Sequence, residues 1–146
     1  MKKSISVWSF PGEWTLERKL AVAREAGFAG FEIDLTEDGP VGMGTRGEEL
    51  RAVRRAVESA GLQLSGLATG LYWGANAASA DPEVRKRAEA ILHRQIDCAA
   101  ALGIDGILVV PGAVGVDFIP GAEVVAYETV YKRASEFLKA ALPAAQ

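Results

Sequence analysis

One unit is written three times in this chain, and it narrows the possible folds more than any other feature. It reads AGFAGFEIDL from Ala26, AGLQLSGLATGLYWG from Ala60 and LGIDGILVVPG from Leu102. In each copy an amphipathic segment ends at a glycine (Gly27, Gly61, Gly103), one large apolar residue follows (Phe28, Leu62, Ile104), and a short apolar run begins soon after. A glycine just past the last helical turn takes the left-handed conformation that closes a helix without steric cost, and the apolar residue after it packs back on that turn. The unit is a helix handing over to a strand. The glycines stand 34 and 42 residues apart, a spacing that suits strand, loop and helix together. Strands alternating with helices need crossovers and form a parallel sheet, so the fold class is α/β.

At 146 residues the chain is predicted to be a single domain over 1–146, long enough to bury about two-thirds of its unfolded surface. The net charge is −3, with no stripe of lysine or arginine dense enough for a polyanionic backbone. Small molecules, not nucleic acids, are the expected partners. The single Cys98 cannot form an intrachain disulfide, and MKKSISVWSF lacks the apolar core of a signal peptide. No apolar run approaches the ~20 residues needed to cross a bilayer, so no membrane partner and a cytoplasmic location are expected.

Residues 5–10 are the first strand candidate, stopped by Pro11 and Gly12. Thr15 can cap the helix that follows, with Leu16, Leu20 and Ala23 on its buried stripe. In the second strand, 28–35, Phe31, Ile33 and Leu35 alternate with Gly30, Glu32 and Asp34, so one face is apolar and the other acidic. An ordinary parallel strand is apolar on both faces. A strand whose second face turns acidic toward its C-terminal end suits a (βα)8 barrel, where inward residues near that end line the site. Asp34 read alone equally opens a solvated loop. Glu32 sits deeper, and a carboxylate there needs either a pocket it faces or a structural salt bridge.

The loop at 36–47 spells G-x-G-x-x-G from Gly42, but it follows the second strand at a distance and lacks the acidic ribose partner of a dinucleotide site. A flexible, substrate-covering loop is the better expectation. A helix from Glu48 leads to the third strand, 62–69, which ends in Tyr72 and Trp73 between glycines. Those aromatics read either as a wall for the apolar face of a substrate or as a plug at the core's edge. Asp81-Pro82-Glu83 opens the next helix, whose stripe runs through Ala88, Ile91, Leu92, Gln95, Cys98 and Leu102. Cys98 on that stripe is a core residue, and His93 falls on the outward side. One histidine and one cysteine on a helix make neither a zinc site nor a catalytic triad. A fourth strand is expected at 107–110, and then a helix with Tyr127, Val130, Tyr131, Ala134, Leu138 and Ala141 on one side, ended by Pro143.

GFAGFEIDL, GLQLSGLATGLYWG, DPEVRKRAEAILHRQIDCAAALGIDGILVVPG and AYETVYKRA, in this order, resemble the sugar-phosphate isomerase/epimerase family of xylose-isomerase-like barrels, a group similar to tagatose epimerases, hydroxypyruvate isomerases and type-2 apurinic endonucleases. The resemblance runs from the first strand to the fourth helix. It implies the parallel (βα)4 half of a TIM-type (βα)8 barrel, and a chemistry in which a proton moves between adjacent carbons of a keto sugar with help from Mn, Mg, Co or Zn. In the family pattern the metal ligands and the two acid/base glutamates come from strands five to eight. The resemblance therefore implies no cofactor held by this chain, and a metal only for a full-length member. By position it makes Trp8, Glu32, Tyr72 and Trp73 the substrate-binding residues.

Three functions compete on this reading. The first is the N-terminal half of a sugar or sugar-phosphate isomerase/epimerase, inactive alone. The second is a non-catalytic half-barrel that serves assembly or folding and keeps a vestigial sugar pocket. The third is an open flavodoxin-like sheet with a phosphate at a helix start, which the acidic face of the second strand disfavours. A half-barrel is expected to show four strands in the order 1-2-3-4, to present Glu32 on its concave face beside Trp8 or Tyr72, and to pair as a homodimer or with a complementary half-barrel.

Overall fold

The computed structural model describes all of residues 1–146. Its elements are β1 (Ser4–Ser6), α1 (Leu16–Glu25), β2 (Gly30–Leu35), α2 (Gly47–Ser59), β3 (Gln63–Thr69), α3 (Pro82–Leu102) and α4 (Tyr127–Ala145), with 3-10 turns at Val7–Ser9 and Leu71–Trp73. The chain divides into two compact units, Met1–Thr69 with Asp97–Leu108, and Gly70–Ile96 with Val109–Gln146.

The first unit holds a parallel sheet in the order β1-β2-β3. Partners in a parallel ladder point to the same side, so the register sorts the side chains into two faces. Ile5, Phe31 and Leu64 share one with Ile33 and Leu67, and Ser6, Glu32 and Gly66 share the other with Asp34 and Ala68. On the first face Phe31, Ile33, Leu35 and Leu67 are buried, as are Leu20 and Ala23 of α1 and Leu50, Val53 and Val57 of α2. The helical and strand periodicities thus meet in one core.

All three repeated glycines close helices. Gly27, Gly61 and Gly103 have φ of 82°, 75° and 69°. The next residue reaches back in each case, as the N–H groups of Phe28, Leu62 and Ile104 donate to the carbonyls of Ala23, Val57 and Ala99 at 3.1, 3.2 and 2.9 Å. This is the paired capping bond that left-handed glycine makes possible.

Two strands differ from expectation. β1 stops at Ser6 because the Ser6 hydroxyl accepts from the Trp8 N–H at 3.4 Å, offering the backbone a turn in place of a ladder. The expected fourth strand is a single parallel bridge, Leu67 to Ile107, in which Leu67 N–H donates to Gly106 and Leu108 N–H to Leu67. β3 itself ends at Thr69, and Pro111 brings no N–H, so little ladder is left to extend. The sheet therefore has three strands in sequential order, not four.

The loop at 36–47 is held by its own bonds. Thr36 Oγ1 accepts from Gly39 N–H and Thr45 Oγ1 from Gly42 N–H, both at 2.9 Å, while Val41 is buried beneath. A Cβ on Gly39 would stand 2.2 Å from Thr36 Oγ1, and one on Gly42 3.0 Å from the Glu37 carbonyl. Close packing accounts for these glycines without a nucleotide.

In the second unit α3 starts as predicted, with Glu83 N–H donating to Asp81 Oδ1 at 2.8 Å. Ala88, Ile91, Leu92 and Gln95 of its stripe are buried. α4 departs from its predicted stripe, burying Val130, Phe137 and Ala141 while leaving Tyr127, Tyr131 and Leu138 exposed. It also runs through Pro143 to Ala145. A proline in the last turn forfeits one bond to an exposed carbonyl that water can satisfy, so the helix need not stop there.

Candidate functional site

The polar face of the first unit is built from small residues upward. At its N-terminal end Gly30 lies beneath Ser4 and Ser65, whose hydroxyls hydrogen-bond to each other, and a Cβ on Gly30 would meet Ser4 Oγ at 3.0 Å. Farther along the strands, Gly66 makes room for Glu32, whose Oε2 lies 3.3 Å from where a Gly66 Cβ would stand. At the C-terminal end Trp8 Nε1 donates to Asp34 Oδ2 at 2.9 Å. The Val7–Ser9 turn that cut β1 short is what turns Trp8 to this bond.

Glu32 is half-buried and makes no hydrogen bond or ion pair, unlike the solvated Arg51, Arg54 and Arg55 pairs of α2. It lies on the face opposite Phe31 and Ile33 and one alternation before Asp34. The face thus offers two carboxylates as acceptors and a half-exposed indole at the C-terminal ends of the strands, where barrel sites form. Such a set suits a polyhydroxylated ligand, whose hydroxyls donate to carboxylates and whose C–H face packs on an aromatic ring. A cleft of about 530 Å³ lined by Arg54, Glu58, Gln63 and Gly103 lies at the opposite end of β3, away from these groups.

The other two predicted residues belong to the second unit. Tyr72 is buried, donates its hydroxyl to Gln95 Oε1 at 3.0 Å and meets the Phe137 ring edge-on at 6.3 Å. Burial pushes its phenol well above the ordinary range, so it stays neutral. Its hydroxyl is engaged in the core rather than presented to solvent. Trp73, by contrast, is 43 % exposed and packs edge-on against Phe118 with ring centroids 5.3 Å apart. Phe118 lies in a segment without periodicity, and only a large aromatic amid glycines could have signalled it. Asn76 anchors that segment, as its Nδ2 donates to the Ala113 carbonyl at 3.0 Å and its Oδ1 accepts from Ala113 N–H at 3.1 Å.

Cys98 is buried and His93 exposed, and no three His, Cys, Asp or Glu side chains gather where a metal could bind. Glu32 and Asp34 are two donors without a third. The residues of this chain do not by themselves fit a divalent metal.

The family model for xylose isomerase-like TIM barrels matches residues 20–146. The chain belongs to that family. No curated protein matches it at a significant level. Among solved structures, it is similar to a D-psicose 3-epimerase crystallised in the presence of D-fructose, with a TM-score of 0.75 and 20 % identity over 99 % of this chain and 48 % of that one. A D-psicose 3-epimerase from Clostridium cellulolyticum, with D-tagatose, gives 0.72 and 17 % over 99 % and 48 %. An L-ribulose 3-epimerase gives 0.72 and 20 % over 99 % and 46 %. The chain spans about half the length of the structures it matches. Its fold is α/β, with a parallel sheet that corresponds to half of such a barrel.

Proposed function

We propose that this chain is the N-terminal half of a sugar or sugar-phosphate isomerase/epimerase and supplies the substrate-facing wall of its site. The observation that carries the reading is Glu32, a half-buried carboxylate without a protein partner, two residues before an Asp34 that Trp8 holds in place. In the first unit Glu32 accepts substrate hydroxyls and Trp8 offers a ring face; in the second, taken by itself, Tyr72 holds the Leu71–Trp73 turn through Gln95 and Trp73 offers a ring face. The proton transfer between adjacent carbons requires a metal and a placed base, which the other half of the barrel provides. That half carries strands and residues that are not among these 146, whether it continues this chain or belongs to another. It would meet the sheet at β1 and at the Leu67–Ile107 bridge, where ladder groups stand at the margins. A cytoplasmic location completes the reading, supported by a lone, buried thiol.

Titration with D-fructose and D-tagatose, followed by tryptophan fluorescence, tests it. We expect weak saturable binding, on the order of 1 mM, because the wall is only half a site. Glu32→Gln should weaken it without lowering the melting temperature, since the carboxylate supports no protein contact. The same chain should show no proton exchange at the carbon next to the ketose carbonyl, with or without manganese or cobalt. Absence of saturable binding rejects the sugar wall in favour of an assembly module, and exchange above background rejects the division of labour.

A further inference from the structure

Strand β3 carries one irregularity, and it falls beside Glu32. The ladder with β2 pairs Gly30 with Gln63 and Phe31 with Leu64, then skips Ser65 and resumes with Glu32 opposite Gly66. A bulge of this kind sets two residues of one strand against one of the other and re-aims the side chains around it. In an unbroken register Ser65 would stand opposite Glu32, with a hydroxyl able to donate to the carboxylate. The bulge instead leaves Ser65 over Gly30, where its hydroxyl bonds to that of Ser4, and puts a residue without a side chain beside Glu32. On the other flank the register places Ser6 against Glu32, and Ser6 Oγ accepts from Trp8 N–H at 3.4 Å. Both neighbouring hydroxyls are committed elsewhere, and the carboxylate keeps no protein donor.

Space, and not backbone conformation, explains the glycine. Its φ is not positive, so the bulge is open to residues with side chains. A Cβ at position 66 would stand 3.7 Å from the Gly106 carbonyl oxygen, an ordinary contact, but 3.3 Å from Glu32 Oε2 and 3.6 Å from Glu32 Cγ. The one tight contact is with the carboxylate, which lies beside the space a side chain would fill. Asp34, one alternation farther along β2, leans the other way to Trp8 beyond the end of β1. The two carboxylates are thus turned toward opposite neighbours of β2, and the face offers acceptors on both sides of that strand. We propose that Gly66 is a positioning residue of this site: its missing side chain, brought opposite by the bulge at Ser65, lets Glu32 lie toward β3 as an unpartnered acceptor for a ligand hydroxyl. The identity of that ligand rests on the sugar-wall reading, whereas the placement of Glu32 can be measured without any ligand.

In the whole chain, Gly66→Ala should bind D-fructose and D-tagatose about tenfold more weakly, since it displaces the acceptor of one charge-assisted hydrogen bond. Its melting temperature should not fall, because Glu32 supports no protein contact and can give way, and alanine loses less backbone freedom on folding than glycine does. A merely structural glycine would show the reverse pattern, with stability lost and affinity kept. In a Glu32→Ala chain the same substitution should leave ketose affinity where it is, as the carboxylate it displaces is gone. Gly66→Ser returns the donor that the bulge withdraws. It should raise the melting temperature above that of Gly66→Ala, that surplus should vanish in the Glu32→Ala chain, and ketose binding should weaken at least as much as with alanine. An unchanged affinity in Gly66→Ala overturns the proposal, as does a loss that is equal with and without Glu32. So does a serine surplus that is absent, or that persists once Glu32 is removed. If the unsubstituted chain binds no ketose, the sugar wall fails on its own account, and the serine surplus still decides where Glu32 lies.

Discussion

Glu123 organises the loop ahead of α3 although it is fully exposed. Its carboxylate accepts from Ser79 Oγ at 2.6 Å and from Ala80 N–H at 2.8 Å, and these bonds, the Ser79 one foremost, hold its carboxyl below the ordinary range. Arg133 reinforces the loop by donating to the carbonyls of Ala78 and Ser79 at 2.7 and 2.8 Å. A carboxyl depressed in the folded state contributes stability above its unfolded pKa and loses it as pH falls through the folded one. Glu123→Gln should therefore lower the melting temperature at pH 7, and the gap from wild type should close as pH drops below the ordinary glutamate range. A gap that stays constant down to pH 3 would mean that the amide fails for reasons of shape and not of charge. Glu32 is the opposite kind of residue, a carboxylate that no neighbour needs, which is why its removal is expected to spare stability and reduce binding.

At the scale of elements, the glycine closures can be separated into backbone and packing effects. A Cβ on Gly27 would meet nothing within 4 Å, whereas one on Gly103 would stand 2.9 Å from Arg54 Nη1. Gly27→Ala should thus cost only the left-handed strain, about 1–2 kcal/mol. Gly103→Ala should cost the same plus the displacement of the exposed Arg54 guanidinium from its pair with Glu58, a small addition because the clash is with a side-chain tip. Chemical denaturation of both variants decides this, and a Gly27→Ala chain as stable as wild type would show that the helix closure is not strained. These closures were legible in the sequence because they are local, each set by one residue and its neighbours. So was the polar face of β2, since strict alternation leaves Glu32 and Asp34 no choice once Phe31 and Ile33 are buried. The end of β1 was less legible, because Ser6 offers a turn that competes with the ladder and apolar pattern alone ranks them equally. The fourth strand failed for a nonlocal reason, as Ile107 finds only the last residues of β3 to pair with. Phe118 could not be assigned from a segment with no period, and the true buried side of α4 follows from its partners, which sequence periodicity does not name.

The whole molecule spans half of the barrels it matches, and its metal affinity measures what that half contains. A bound ion stabilises the folded state by RT ln(1 + [L]/Kd), so a site loaded at a hundred times its dissociation constant would add about 2.7 kcal/mol. In a chain of this size that raises the melting temperature by roughly 9 °C, well above the scatter of a thermal scan. With Glu32 and Asp34 the only inward carboxylates, and no third donor beside them, manganese, cobalt or magnesium at millimolar concentration should leave the transition where it stands. Chelation should likewise change nothing. Adding ketose together with metal is the sharper comparison, because the sugar itself carries hydroxyl and carbonyl oxygens that could complete a coordination shell over the two carboxylates. If this half supplies only a wall, metal and sugar act independently and their shifts add. A shift with both that exceeds the sum, and that Glu32→Gln abolishes, would place part of the metal chemistry on this chain and reassign Glu32 from substrate acceptor to ligand.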